Sequence, residues 1–287
     1  MKVIYEVRDK VARITLNRPE VMNAMDAEVY AELSKAWEDV RDNPDVWIAV
    51  ITGAGDRAFT AGADLKSLIP QRRERADFWL TQKNMILNRG LEVWKPVIAA
   101  VNGYCLAGGM TLLFATDIRI AAEHAVFEIS EVKRAILPGN GGTQRALRQL
   151  PYAIAMEMLL LGRRLTAAEA LGFGLVNAVV PLKDLITTVD TYAQRLCENG
   201  PLALRAVKEL AIRSQSVPLE HGLRLESRSR SSSAPPRTPR KARARSPRSA
   251  SRPTRPSRWT GPRARRSSSP AIGHPGSRRP PATVPTR

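Results

Sequence analysis

Two short turns of small residues and one carboxylate are the parts of this sequence that could do chemistry. The turns are Ala61–Gly62–Ala63 and Ala107–Gly108–Gly109, and the carboxylate is Glu131. Small residues let a backbone approach a ligand closely. Two backbone N–H groups that converge on one point form an oxyanion hole, in which each donor is worth about 2.7–4 kcal/mol to a developing negative oxygen. One such turn alone is better explained as an ordinary strand-to-helix crossover, so the pairing of two turns carries the functional interpretation.

The other reactive side chains have ordinary structural explanations. Cys105 lies beside the second turn, but a catalytic Cys needs a His partner and none is close in sequence, so we expect a packing residue. His124 and His221 are isolated and are expected at the surface or at helix caps. Cys105 and Cys197 form neither a disulfide framework nor a metal-binding spacing, which predicts no metal site and a reducing compartment. The segment 139–142 is not a phosphate-binding P-loop, because no Gly-Lys-Ser/Thr follows it.

Nearly apolar strands alternate along the chain with amphipathic helices. The expected strands are Val3–Glu6, Val11–Leu16, Val46–Ile51, Pro96–Val101 and Val176–Val180. The expected helices are Ala27–Arg41 with Asp26 as N-cap, 70–94, Tyr152–Leu161, a short helix from the Thr166–Glu169 capping box to Gly172, Leu182–Glu198 and Pro201–Ser214. This alternation predicts an α/β fold with a mainly parallel sheet. The sequence shows neither the pattern of a signal peptide nor an apolar run of about 20 residues. We therefore expect a soluble, cytoplasmic chain.

The charge of the chain is divided very unevenly. The formal net charge is +18, but residues 227–287 hold 17 of the 45 Lys and Arg residues and none of the 27 Asp and Glu residues. Residues 1–226 therefore carry 28 basic and 27 acidic residues, and this part is expected to be a nearly neutral globular protein. The segment 227–287 is rich in Arg, Ser and Pro, cannot form a core and is predicted to be disordered.

Two explanations of the basic tail remain open. A genuine polybasic arm would bind RNA, DNA or another acidic surface with strong salt dependence. Alternatively, the tail can result from a change of reading frame. Codons for Thr238–Ala250 can be chosen so that the same bases, read one position earlier, encode Asp-Ala-Glu-Glu-Gly-Pro-Arg-Ala-Phe-Ala-Glu-Lys-Arg. We favour a frameshift between about Glu226 and Pro236, and independent sequencing of that part of the gene tests it. An unbroken reading frame would leave the arm as genuine.

Several motifs together resemble the enoyl-CoA hydratase/isomerase (crotonase) family. They are Ala61–Lys66, Ala99–Tyr104, Ala107–Gly109 and Pro138–Arg145, which occur in the family's order, and the similarity covers residues 1 to about 226. The resemblance implies a ββα spiral core at 1–200, the start of the C-terminal helical region at 201–226 and the tail from 227. The frameshifted peptide also resembles the usual C-terminus of the family, whose helices help to close the acyl pocket and make subunit contacts.

The resemblance also implies a substrate and a set of site residues. The substrate is an acyl-CoA thioester, no cofactor is needed beyond the CoA that the substrate carries, and the assembly is a homotrimer or a hexamer. The thioester carbonyl would accept hydrogen bonds from the N–H groups of Ala63 and Gly108. The CoA moiety would lie along Ala61, Ala63, Asp64, Leu65, Lys66 and Gly108, where Lys66 is a candidate phosphate contact and is equally well explained as a solvated surface lysine.

The family's two catalytic glutamates are not both present. The later one matches Glu131, but the earlier position is occupied by Thr111. Because a single carboxylate is enough to move a proton between two carbons of an enolate, we expect double-bond isomerisation. The alternatives are hydration that uses Glu131 with Thr111 or Glu128, or a non-catalytic protein that binds through its tail. Glu128 is expected to face solvent, on the opposite side of an extended segment from Glu131.

Overall fold

The computed structural model describes residues 1–64, 66 and 86–233. The chain divides into two units, Met1–Arg237 and Thr238–Arg287, and all described residues belong to the first unit. No helix among the described residues is long and apolar enough to cross a membrane.

A large sheet forms the centre of the described unit. Its strands, in spatial order, are β1 (Val3–Arg8), β2 (Val11–Leu16), β3 (Ile48–Gly53), β5 (Val97–Val101), β7 (Ile118–Ala122) and β10 (Ala178–Val180). Only the β1–β2 hairpin is antiparallel, and the other neighbours are parallel. The predicted α/β fold with a mainly parallel sheet is therefore confirmed.

A second sheet presents the candidate site residues. It contains β4 (Ala58–Thr60), β6 (Tyr104–Leu106), β8 (Val126–Glu128) and β9 (Arg164–Thr166), in that order. Strands β4, β6 and β8 are mutually parallel, so their carboxyl ends meet at one edge of the sheet. The Ala61 turn follows β4, the Ala107 turn follows β6 and Glu131 follows β8. The topology thus brings together three segments that are far apart in sequence.

The described residues contain eight α-helices, which are α1 (Ala27–Asp42), α2 (Gly108–Leu113), α3 (Gly142–Gln149), α4 (Tyr152–Leu161), α5 (Ala167–Gly172), α6 (Leu185–Cys197), α7 (Pro201–Ser214) and α8 (Leu219–Ser233). Of these, α1 and α6 pack on opposite faces of the large sheet. Side chains alternate across each strand, so Ile48 and Val50 pack with α6, whereas Ala49 and Ile51 face the larger core with α1. The Asp26 cap accepts a hydrogen bond from the Val29 nitrogen, and the Thr166 capping box is formed as predicted.

Two sequence expectations need correction. Most of the helix expected at 70–94 lies outside the described residues, but 86–94 contains only a 3₁₀ turn, Leu87–Arg89, which ends at Gly90 with φ 96°. The second correction is to the start of the tail. The tail was expected from residue 227, but α8 continues to Ser233. Ser and Arg allow an established helix to propagate, and the first helix-breaking residue is Pro235. The rest of the tail lies outside the described residues.

Candidate active site

A cavity of about 780 Å³ opens at the edge of the second sheet. Its walls include five of the residues expected from the sequence, namely Ala61, Ala63, Gly108, Thr111 and Glu131, and Asp64 and Lys66 line it as well. The first five come from the ends of β4, β6 and β8 and from the first turn of α2. The fold therefore gathers the two small-residue turns, the carboxylate and the threonine around one space.

The two turns approach each other so closely that only small residues fit. A Cβ atom added at Gly62 would lie 2.6 Å from the Gly108 nitrogen, and one added at Gly108 would lie 3.2 Å from the Ala63 nitrogen. Gly62 also has φ 89°, in the left-handed region that favours glycine. As the first residue of α2, Gly108 has no intrahelical partner for its N–H group. Within the described part of the chain, no acceptor is recorded for the N–H of Gly108 or of Ala63.

Backbone hydrogen bonds hold both turns in place. On the first turn, the Met25 nitrogen donates to the Gly62 oxygen at 2.8 Å and the Asp64 nitrogen donates to the Met25 oxygen at 2.9 Å. On the second, Ala107 has the strained dihedral angles φ 49° and ψ −115° while its nitrogen donates to the Glu128 oxygen at 2.8 Å. The strained residue lies directly before Gly108, and both Ala107 and Gly108 belong to the cavity lining.

Glu131 is a buried carboxylate with an unused oxygen. It begins the 3₁₀ turn Glu131–Arg134, only 8 % of the residue is exposed, and its Oε2 atom has no hydrogen-bond partner among the described residues. Burial raises the pKa of Glu131 above its ordinary value of 4.5, against the opposing effects of backbone hydrogen bonds and of Arg134. A carboxylate in this state can take up a proton inside the cavity.

Thr111, which the family resemblance places where a second carboxylate would stand, is itself hydrogen-bonded. Its Oγ1 donates to the Gly108 oxygen at 2.9 Å and accepts from Nδ2 of Asn88 at 2.9 Å. Asn88 is 5 % exposed, and no donor among the described residues reaches its Oδ1 atom. The sequence did not single out Asn88, because this residue lay inside the segment expected to be a continuous amphipathic helix.

The expectation that Glu128 faces solvent is wrong. Only 3 % of Glu128 is exposed, and its carboxylate accepts hydrogen bonds from Lys133 at 2.7 Å and Arg164 at 2.6 Å. Burial raises the pKa of Glu128, but these two hydrogen bonds outweigh it and hold the pKa below its ordinary value. Arg164 lies opposite Glu128 on the neighbouring strand β9, a pairing that the local sequence pattern does not contain. Glu128 is thus a paired structural carboxylate and is absent from the cavity lining.

The residues expected along CoA are only partly described. Asp64 and Lys66 line the cavity, and Lys66 is exposed, whereas Leu65 lies outside the described residues. The Asp64 carboxylate is 3.1 Å from the Arg18 guanidinium, an ion pair that braces the first turn. Arg57 is a further cationic residue in the cavity lining that the sequence did not single out. In the described part of the chain, no group of His, Cys, Asp and Glu could hold a metal ion.

Comparison with known proteins decides the family. The family model described as enoyl-CoA hydratase/isomerase matches residues 6–242. The chain belongs to the enoyl-CoA hydratase/isomerase family. It is 43 % identical over 223 residues to (E)-benzylidenesuccinyl-CoA hydratase of Thauera aromatica, which covers 78 % of this chain and 87 % of that protein. It is 40 % identical over 214 residues to carnitinyl-CoA dehydratase of Salmonella enteritidis, which covers 75 % of this chain and 81 % of that protein.

Solved structures agree with this membership of the enoyl-CoA hydratase/isomerase family. The crystal structure of enoyl-CoA hydratase from Bacillus anthracis superposes with a TM-score of 0.75 at 33 % identity, covering 81 % of this chain and 91 % of that one. The predicted crotonase-like fold and the predicted enzyme class are confirmed. Both sequence relatives are named for the addition or removal of water, which bears on the choice between the two expected reactions.

Proposed function

We propose that this enzyme catalyses the reversible addition of water to a 2-enoyl-CoA thioester, with Glu131 as the proton-transferring residue. The observation that carries the proposal is that Glu131, whose Oε2 atom has no hydrogen-bond partner among the described residues, lines the same cavity as Ala63 and Gly108. Enolate chemistry needs a proton carrier and a stabilised oxyanion together, and this cavity has candidates for both.

The reaction follows from these groups. The thioester oxygen accepts hydrogen bonds from the Ala63 and Gly108 N–H groups, which polarises the conjugated double bond. Glu131 removes a proton from water as the water oxygen bonds to the β-carbon, and the π electrons move onto the thioester oxygen as an enolate. Glu131 then returns the proton to the α-carbon, which gives a 3-hydroxyacyl-CoA. Because the N–H groups are fixed before the reaction, they stabilise the enolate without reorganising.

The names of the two sequence relatives favour hydration over isomerisation. Benzylidenesuccinyl-CoA hydratase and carnitinyl-CoA dehydratase are both named for water chemistry, and each is at least 40 % identical to this chain. Isomerisation remains the second candidate, because Thr111 cannot carry a proton as a carboxylate does. A 3-enoyl-CoA substrate would need Glu131 alone to move one proton from the α-carbon to the γ-carbon.

The remaining features of the function are also proposals. Lys66 and Arg57 lie in the cavity lining and are suited to CoA phosphates. No cofactor beyond the CoA of the substrate enters the proposed chemistry. The homotrimer or hexamer and the cytoplasmic location stay predictions, the latter supported by two free cysteines, of which Cys105 is buried.

Direct assay separates the two reactions. Purified enzyme is given a short straight-chain 2-enoyl-CoA, (E)-benzylidenesuccinyl-CoA or a 3-enoyl-CoA, and the products are separated by chromatography. We expect hydration of a 2-enoyl-CoA to exceed isomerisation of the 3-enoyl-CoA, and Glu131→Gln to lower hydration about 10²–10⁴-fold. Glu128→Gln is the matched control, because it removes a carboxylate that lies outside the cavity lining. Isomerisation without hydration would contradict the proposal, and so would full hydration by Glu131→Gln.

A further inference from the structure

The hydrogen bonds of Thr111 leave its hydroxyl with one defined role. A hydroxyl has one proton to donate and two lone pairs that accept. The proton is directed to the Gly108 oxygen and one lone pair accepts from Asn88 Nδ2, each at 2.9 Å. One lone pair remains, and Thr111 lies in the wall of the cavity. Thr111 can therefore offer the cavity an acceptor, as a carboxylate oxygen would, although it cannot offer a proton.

The rotamer of Thr111 is also restricted by packing. Gly142 opens α3 beside Thr111, and a Cβ atom added at Gly142 would lie 3.0 Å from Cγ2 of Thr111. The methyl group is held on that side, while Asn88 and the Gly108 oxygen hold the hydroxyl. A side chain fixed on both branches keeps its remaining lone pair in one direction.

Asn88 has features that packing alone does not explain. It is 5 % exposed, yet its Oδ1 atom has no donor among the described residues, and an unsatisfied buried polar atom destabilises a fold. The turn that carries it is tied to α3, since Arg145 Nη1 donates to the Asn88 backbone oxygen at 3.3 Å. A Leu of similar size at position 88 would avoid the unsatisfied oxygen. We therefore explain the presence of an amide at this position by its hydrogen bond to Thr111.

We propose that Asn88 is a positioning residue, which fixes the Thr111 hydroxyl as the hydrogen-bond acceptor for the attacking water. This proposal rests on the proposed hydration. One proton of the water is accepted by Glu131 and the other is hydrogen-bonded to Thr111, so that the oxygen lone pair faces the β-carbon of the substrate. The Asn88–Thr111 pair replaces the orienting part of the second carboxylate, and Glu131 alone carries the proton from the water to the α-carbon.

This assignment separates two activities that share the same oxyanion hole. Exchange of the α-proton of a saturated acyl-CoA with solvent deuterium requires Glu131 and the N–H pair, but it requires no attacking water. Loss of the Thr111 acceptor should therefore lower hydration and leave exchange unchanged. General damage to the site would lower both activities.

The test uses the full chain with three variants and one matched control. Thr111→Val and Asn88→Leu remove the contact, and Thr111→Ser keeps the hydroxyl. The control is Thr116→Val, because Thr116 is 4 % exposed, donates to the Leu113 oxygen at 2.7 Å and accepts from Arg119 Nε at 3.2 Å. Thr116→Val therefore removes the same kinds of hydrogen bond as Thr111→Val, but Thr116 does not belong to the cavity lining.

We expect Thr111→Val and Asn88→Leu to lower kcat for hydration roughly 10- to 100-fold, because a misplaced water reacts slowly. KM should stay within about twofold, since water orientation acts after substrate binding. Thr111→Ser should keep the hydration activity of the wild type, because it keeps the hydroxyl. Exchange of the α-proton should be retained in all three variants. Asn88→Leu should also unfold no earlier than the wild type, because it removes an unsatisfied oxygen.

Unchanged hydration in Thr111→Val would overturn this inference, and so would an equal fall in hydration and exchange. An equal loss of hydration in Thr116→Val would also overturn it. In each of these outcomes the wild type still hydrates its substrate, and the proposed function stands. A wild type that exchanges α-protons but adds no water would instead reject the proposed function.

Discussion

At the scale of single residues, Glu131 is suited to proton transfer at a cost to stability. Burial favours its protonated form and raises its pKa, so the folded state binds more protons than the unfolded state between 4.5 and the raised value. The free energy of unfolding therefore falls as the pH rises through that window and stays lower above it.

Glu131→Gln should accordingly stabilise the protein at pH values above that window. We expect a higher Tm than that of the wild type at neutral pH, and a difference that shrinks as the pH approaches the ordinary carboxyl value, because the wild-type side chain is then also neutral. Thermal unfolding followed by circular dichroism over a pH series measures the difference. A lower Tm for Glu131→Gln at neutral pH would show that the carboxylate is stabilising.

At the scale of the elements, Glu128 joins β8 to β9 through its ion pair with Arg164, and it joins β8 to the Glu131–Arg134 turn through its ion pair with Lys133. The side chains of Lys133 and Arg164 are 47 % and 63 % exposed, which limits the strength of these pairs. Since the pKa of Glu128 is held down in the folded state, its contribution to stability is present above the ordinary value and is lost as the pH falls through the lowered one.

Glu128→Gln should therefore destabilise the fold at neutral pH while hydration is retained. We expect a loss of roughly 1–2 kcal/mol in the free energy of unfolding, measured by urea denaturation. Glu123→Gln is the control, because Glu123 is exposed in the turn between β7 and β8 and should stay within about 0.5 kcal/mol of the wild type. Loss of hydration with an unchanged free energy of unfolding would instead make Glu128 a second catalytic carboxylate.

The sequence predicted five of the six strands of the large sheet, but it predicted none of the four described strands of the second sheet. Periodicity and caps were sufficient for the hairpin, α1 and the Thr166 capping box, because these features depend on neighbouring residues. Glu128 was misplaced because Arg164 lies on a strand far along the chain, and such a pairing leaves no local signal. Asn88 was missed because it lies in the segment expected to be a continuous helix, and its contact with Thr111 is made only when the observed 3₁₀ turn packs against α2.

At the scale of the whole molecule, large apolar side chains remain uncovered on several elements. They include Leu137 at 75 % exposure, Tyr152 at 71 %, Leu161 at 67 %, Leu202 at 66 % and Leu219 at 77 %. α7 is attached to the unit through Lys208, whose ammonium is 2.7 Å from Asp117, rather than through fully buried apolar residues. Contiguous apolar surface is typical of subunit interfaces.

We therefore expect the protein to assemble as the homotrimer or hexamer that its family resemblance implies. Sedimentation equilibrium over a range of concentrations measures the mass. Leu161→Glu, which places a charge on this surface, should shift the protein toward smaller species, whereas Glu123→Gln should not. A monomer at every concentration would contradict the expected assembly and would leave the apolar surface to another partner.

The most direct test of the account is the pH dependence of kcat/KM for hydration of a 2-enoyl-CoA. This profile reports the ionisation of essential groups in the free enzyme. Glu131 must be deprotonated to accept a proton from water, so kcat/KM should rise with pH through a pKa above 4.5, and Glu131→Gln should lack that rise. A rise centred at or below the ordinary carboxyl value, or one that persists in Glu131→Gln, would contradict the assignment of Glu131 as the proton-transferring residue.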